Sequence, residues 1–294
     1  MSFTTVVIIT PVPLDDVLLH DRTKYNSNNH WPDDIRPSDY EQKLEKTYCK
    51  HWIDKFHRHY HVINIYNTDL KWMKEAAKIG AYSGKTSAIH QSDIDDLVEI
   101  YQKEKVWPDQ EYFVRTDSTS LKYGRHGAGP YRDIRSVIES LITSTYNHSP
   151  LSSLNDETQT TLKIYLMPWK TIDLDKEFRV FVYKKKITAI SQQHLYTPNA
   201  TLNAISSTEE RYSVINNWVA IINREFHSTI KDRLAYLDSY VMDIAILEND
   251  IAYFIEINCF GKEYASGSSL FHWLINEEIL YNDKDDTVHF RYTH

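Results

Sequence analysis

Two apolar runs that meet at Asn249-Asp250 constrain this chain more than any other feature of its 294 residues. Tyr240 to Glu248 and Ile251 to Asn258 read as strands, and Asn and Asp tolerate the positive φ of a two-residue primed turn, so a β-hairpin is predicted over 240–258. With two turn residues, Glu248 pairs with Ile251, and counting back along both strands sets Asp243 opposite Glu256. Like charges directly across a ladder repel, so this pair needs a compensating cation or a raised pKa. Asn258, two residues beyond Glu256, projects from the same face. Oxygen ligands without His or Cys favour Mg²⁺ over zinc. The flanking Val241, Ile244, Ile246, Phe254, Ile255 and Ile257 would surround the acids with core. On these residues alone, a solvent-facing acidic pair is the alternative.

The remaining composition is that of a globular chain, 41% hydrophobic and 25% charged, long enough for one large domain or two joined lobes. A net charge of −8 argues against a generally basic nucleic-acid binder, although a local basic groove is compatible with that sum. Between Met1 and Leu18 the apolar run Val6 to Ile9 lacks a basic leader and is too short for a signal peptide or spanning helix, and no later segment is long enough. Cys49 and Cys259 fit no metal or disulfide spacing; they read as free, partly buried thiols, for which a reducing cytoplasm is the simplest setting.

Along the chain, residues 11–40 read as an irregular surface excursion, followed by a helix over 40–56, a strand over 62–66 and a helix over 68–78 with Trp72 and Ala76 inward. A helix over 92–103 starts at Ser92 and Asp95, which resemble a capping box. After a strand at 112–115, the loop 116–130 carries Gly124, Gly127, Gly129 and Pro130 and is expected to be mobile; a helix over 133–146 and a polar lobe junction over 147–157 come next. Strands at 161–166, 177–183 and 187–192 precede a capping box within 206–210 and a helix whose Ile215, Trp218, Val219, Ile222 and Phe226 form one core stripe. His57, His59 and His61 alternate, as a zinc site would want in an extended strand, but with no fourth ligand they read as exposed histidines. Trp31, Trp52 and Trp72 read as packing aromatics, and no G-x-S-x-G elbow is present.

A second constellation is basic: Arg115, Lys122 and Arg125 near the glycine-punctuated loop, and Arg179 in KEFRVFV. Such residues either neutralise phosphate or serve as ordinary surface charges. FIEINCFGKEYASGSSLFHW resembles the C-terminal signature of the cell division cycle protein 123 family, with an acid, a hydrophobe and Asn before Phe-Gly and then Leu-Phe-x-Trp. Asp243 in YVMDIAI falls at that family's first metal-binding aspartate, and Glu256 replaces its usual aspartate. PWKTIDLDKEFRVFVYKKKITAISQQ is similar to the family's run of Trp, Glu-Phe-Arg and Ile-Ser-Gln, and FVRTDSTSLKYG to its strand-and-loop, so that the likeness covers residues 110–275. The chain departs from the pattern at Gln193-His194, where the family has Arg-Asp, and at Cys259, where it has Pro.

The resemblance implies an α+β ATP-grasp fold, in which two lobes hold Mg–ATP between them: an N-terminal lobe, 1–148, with loop 116–130 over the phosphates, and a C-terminal lobe, 149–294, with the hairpin 240–258. It implies Mg²⁺ on Asp243, Glu256 and Asn258, phosphate on Arg179, Arg115 and Lys122, and Asp117 in the same cofactor site. The backbone around Trp169 and Lys170 then reads the adenine edge, Gly124 to Gly129 close over the nucleotide, and Arg179 and Lys122 are the candidates for any catalytic role. In function it implies an assembly chaperone for translation initiation factor two that docks its gamma subunit. The competing expectation is an ATP-grasp ligase that activates a carboxylate or phosphate and joins it to an amine or an RNA end. A Mg–ATP site alone does not separate the two, because phosphoryl transfer needs positioning and charge neutralisation more than a special nucleophile.

Overall fold

The computed structural model describes residues 5–21, 23–27, 36–102, 107, 110–152, 154, 160–264 and 266–294. Trp31 and part of the polar junction, residues 153 and 155–157, lie outside them. The nine strands among the described residues are β1 (Val6–Val12), β2 (His61–Tyr66), β3 (Tyr112–Arg115), β4 (Thr161–Pro168), β5 (Glu177–Tyr183), β6 (Lys186–Gln192), β7 (Tyr240–Leu247), β8 (Ile251–Cys259) and β9 (Thr287–Thr293). They form a six-stranded sheet, in the order β1-β9-β6-β5-β7-β8, and a three-stranded sheet, β2-β4-β3. Within the larger sheet β9 runs parallel to both β1 and β6, and the β6-β5-β7-β8 ladders are antiparallel.

Two compact units result, Cys49–Thr171 and the combination of Met1–Tyr48 with Ile172–His294. This division differs from the expected boundary at 148. β4 follows the polar junction yet pairs with β2 and β3, while β1 at the start of the chain completes a sheet with β9 near its end. The expected 40–56 helix is likewise divided, into Tyr40–Glu45, a 3₁₀ turn at Cys49–His51 and a last turn at Ile53–Phe56. It breaks because the Cys49 N–H donates to the Asp117 carbonyl at 2.8 Å instead of continuing the helix.

In the unit Cys49–Thr171, the helices Asn67–Ser83, Gln91–Gln102 and Ile134–Thr143 bury an apolar stripe each, including Leu70 and Met73, Ile94 and Leu97, and Val137, Ile138 and Leu141. The 134–143 helix starts where Asp133 accepts the Ser136 N–H, the end-group satisfaction that a helix N-terminus requires. At the crossing of the first and third helices, a Cβ on Gly80 would stand 2.5 Å from the Ile142 carbonyl oxygen, so only glycine permits the approach. Loop 116–130 is not the mobile segment expected. The N–H groups of Arg125 and His126 donate to Thr143 Oγ1 and Ser140 Oγ, those of Gly124 and Gly127 to loop carbonyls, and Tyr131 caps the Gly127 carbonyl at 2.7 Å.

In the other unit, Ser207 caps the helix Thr208–Glu225 by accepting the Glu210 N–H, and the predicted stripe of Ile215, Trp218, Val219, Ile222 and Phe226 is buried. Trp218 lies 5.4 Å from Phe178 on this helix-covered face of the sheet. The hairpin keeps its expected acid pair by an unexpected route. Asn249 and Asp250 have φ of 61° and 58°, but the ladder closes at Leu247 and Ile251, which makes a three-residue turn. That slip alone would have turned Glu256 to the other face. A β-bulge leaves Ile255 unpaired between Ile244–Phe254 and Asp243–Glu256, and this extra residue restores the register.

Alanine in an exposed helix interior ordinarily gains about 1 kcal/mol over glycine. Gly80→Ala is expected instead to cost about 1–3 kcal/mol of stability, as overpacking does. Urea denaturation checks this, and a variant at least as stable as the wild type would contradict the close helix crossing.

Candidate functional site

The strand registers line up one polar row across the large sheet: Thr10, Arg291, Ser191, Arg179, Asp243 and Glu256, each facing the next on the neighbouring strand. Because side chains alternate, all lie on one face, opposite the helix-covered face of Phe178. Asn258 follows Glu256 on that face, so the three hairpin residues predicted to act together are brought together in this unit, with Arg179 beside them.

Arg179 grips Asp243 with both arms of its guanidinium, Nε to Oδ1 at 2.9 Å and Nη2 to Oδ2 at 2.8 Å, and sends Nη1 to the Gly267 carbonyl at 2.7 Å. Side-chain exposures of 13% for Arg179 and 3% for Asp243 put the pair out of bulk water. Burial pushes the Asp243 carboxyl up to about 6, with Glu256 and Glu177 acting in the same direction; Arg179 opposes the rise by charge and hydrogen bonding. For Arg179 itself burial acts downward, and the surrounding Asp243, Glu256 and Glu177 outweigh it and hold the guanidinium charged. Gln193 adds a longer contact, Nε2 to Asp243 Oδ2 at 3.3 Å. Asn258 Nδ2 is buried and has no hydrogen-bond partner among the described residues.

Beside the row stands an aromatic cluster. Phe181 meets Phe271 and Trp273 edge-on at 5.5 Å, and Phe260 meets Trp273 at 5.0 Å. The Phe-Gly and Leu-Phe-x-Trp motifs are therefore core, packed against the strand that carries Arg179. Sequence reading missed Gln193 as a neighbour of Asp243, and also Ser191, Arg291 and the Gly267 carbonyl. The alternation in TVHFRYT, in which Val288, Phe290 and Tyr292 are buried, was the signal that could have placed β9 and Arg291.

The other predicted residues belong to the unit Cys49–Thr171. Arg115 is 2% exposed and lies 4.8 Å over the Trp52 ring, with Nε on the Thr116 carbonyl. Asp117 accepts from the Lys50 N–H and from Tyr165 Oη, at 3.0 and 2.9 Å. Lys122 is exposed, its Nζ 5.3 Å from the Tyr123 ring. Trp169 spends its N–H on the Glu111 carbonyl and lines a cavity of 620 Å³ with Trp107, Gln110, Glu111 and Arg132; Lys170 is exposed. The histidine trio does not share a face: His59 and His61 are exposed as expected, whereas His57 is buried. No group of three His, Cys, Asp or Glu that could hold a metal occurs among the described residues. Cys49 and Cys259 are buried and form no disulfide with each other, and no described helix is long and apolar enough to cross a membrane.

A family model described as D123 matches residues 135–294, more than half of the chain and all of the polar row except Thr10. The translation initiation factor eIF2 assembly protein of Candida albicans is 28% identical over 134 residues, 43% of this chain and 33% of that protein, so the chain spans about a third of that relative's length. Two solved structures of Cdc123 from Schizosaccharomyces pombe, one C-terminally truncated, superpose with TM-scores of 0.55 and 0.57. Each is 14% identical and covers 85% of this chain and 97% of its own, a likeness of fold. The α+β fold expected from the sequence is observed, and it is the fold that those two structures share.

Removing one partner of a buried ion pair strands the other charge, so Asp243→Ala is expected to lose about 3–5 kcal/mol, and Asp243→Ala with Arg179→Met to recover part of it. Urea midpoints check both, and a fully stable single variant would contradict the burial of Arg179. A pH effect is expected from His57, whose pKa burial and the nearby Arg115 push down to about 4. The unfolded chain protonates this ring near pH 6.5 and the folded chain only near 4, so the unfolded state binds more protons between them. Stability from this group is present above about pH 6.5 and falls on acidification towards 4, by on the order of 3 kcal/mol. His57→Phe should flatten that part of the stability–pH curve, read by thermal melts from pH 7 to 4.

Proposed function

The chain belongs to the D123 family, and from that premise we propose that it serves the assembly of translation initiation factor eIF2 in the cytoplasm, engaging the gamma subunit, as a protein that binds Mg–ATP. Kinship with the Candida eIF2 assembly protein supports the assembly role, and the resemblance of FIEINCFGKEYASGSSLFHW and KEFRVFV to the cell division cycle protein 123 family is the ground for the gamma subunit as the point of engagement.

The observation that carries the ligand reading is the facing of Asp243 and Glu256 beside Asn258 and Arg179. This donor set is hard and all-oxygen on its anionic side, and it suits Mg²⁺, which keeps most of its shell for water and phosphate oxygens. Asp243 Oδ1 accepts from Arg179 Nε and keeps a further lone pair, and the buried Asn258 amide has an unmet hydrogen-bonding need that a ligand would satisfy. Bound there, the ion would neutralise phosphate charge. Of the chain's own residues, Asp243, Glu256 and Asn258 would hold it, and Arg179, which keeps N–H groups beyond those given to Asp243 and Gly267, would supply positive charge to phosphate. Arg115, Asp117, Lys122 and the Trp169–Lys170 backbone remain nucleotide contacts on the family resemblance alone, and Arg115, Asp117 and the Trp169 N–H already hold partners within the unit Cys49–Thr171.

Calorimetry of Mg–ATP on the wild type and on Glu256→Gln tests this, since Glu256 is less deeply buried than Asp243 and its loss spares the Arg179 pair. The variant is expected to bind about tenfold or more weakly, as disturbed metal sites do. A wild type that binds no nucleotide would end the Mg–ATP reading. Failure to capture the purified gamma subunit would end the assembly reading, and release of ADP or AMP with a defined acceptor would replace it with a ligase.

A further inference from the structure

The described residues of the segment from Gly261 to Asn276, 261–264 and 266–276, lie against the polar face of the large sheet and are fastened there through the backbone. Arg179 donates to the Gly267 carbonyl, Ser191 Oγ accepts the Leu270 N–H at 3.1 Å, and Arg291 Nη1 donates to the Leu270 carbonyl at 2.9 Å. Ser269 Oγ donates to Gln193 Oε1, whose own amide reaches Asp243, both at 3.3 Å. On its other side the strap is tied to the N-terminal part of the chain. The Asn26 N–H donates to the Ser269 and Phe271 carbonyls, and Ser27 Oγ accepts the Trp273 N–H. Gly267 sits where these attachments converge; a Cβ there would stand 2.8 Å from Asn26 Oδ1 and 3.3 Å from Arg179 Nη1.

We propose that this strap is a positioning element for the Asp243 site: the Gly267 carbonyl holds Arg179 against Asp243, and that hold opposes the entry of a divalent cation. The inference rests on the cation reading of the hairpin given above. A cation that takes Asp243 meets the like charge of Arg179 at short range, and moving the guanidinium away costs its third hydrogen bond, to Gly267. Linkage makes the effect reciprocal: a cation at Asp243 loosens the strap, and a loosened strap raises cation affinity by the same factor.

The test uses the full chain with Mn²⁺ alone as probe, binding followed by electron paramagnetic resonance and strap mobility by hydrogen exchange of the 261–276 amides. Gly267→Ala pushes Asn26 and Arg179 apart from the strap, and Ser269→Ala removes the Gln193 bridge without adding bulk. Both variants are expected to bind Mn²⁺ more tightly, Gly267→Ala by about fivefold or more, and Mn²⁺ should speed exchange of the wild-type strap by a similar factor. A merely structural role predicts weaker or equal binding, so the sign of the change decides. If Gly267→Ala fails to fold, Ser269→Ala and the wild-type exchange carry the same decision. Unchanged or weaker binding with unchanged exchange overturns the inference and leaves the site standing. Absence of Mn²⁺ binding to the wild type overturns it too, and if Mg–ATP calorimetry is also silent, the cation reading falls with it.

Discussion

The paired guanidinium and carboxylate of Arg179 and Asp243 are the constraint on which the rest of the large sheet depends. Taking two charges out of water costs several kcal/mol per ion, and only good geometry with full hydrogen bonding offsets it. Both conditions are met, by two parallel N–H to oxygen bonds and a third to Gly267. The pair therefore specifies more than it stabilises. β5 and β7 can adopt one register only, since a slip by one residue would carry one charge to the apolar, helix-covered face without its partner.

That constraint divides the sheet into two faces with different work. On the helix side Phe178, Trp218 and Phe290 make a conventional core. On the other side the polar row lies beside the Phe181, Phe271 and Trp273 cluster, where edge-to-face pairs add roughly 0.5–1.5 kcal/mol each beyond area burial. The aromatic part of the Gly261 to Asn276 segment gives it weight, and the polar row gives it position.

The hairpin shows how close sequence reasoning comes and where it stops. The positive φ at Asn249 and Asp250, the pairing of Asp243 with Glu256 and the burial of Asp243 all follow the composition of YVMDIAILENDIAYFIEIN. The three-residue turn and the compensating bulge at Ile255 do not, because loop length and bulge position are settled by which strand face packs against the 208–225 helix and the β5 ladder. The glycines of loop 116–130 pointed to mobility, yet the N–H groups of Gly124, Arg125, His126 and Gly127 are satisfied by the neighbouring helix and by the loop's own carbonyls. Glycine there permits close packing, which sequence cannot tell from freedom to move.

Strand alternation, turn residues, capping and motif spacing are short-range chemistry, and most strands and helices, the acid pair and the family follow from them, whereas the division of the 40–56 helix and the three-residue turn do not. The joining of β1 to β9, the return of β4 to β2 and β3, and the facing of Arg179 to Asp243 and Gly267 come from long-range packing. Those pairings join residues up to hundreds of positions apart, and they are selected by the free energy of burying whole faces, a quantity that no window of sequence contains.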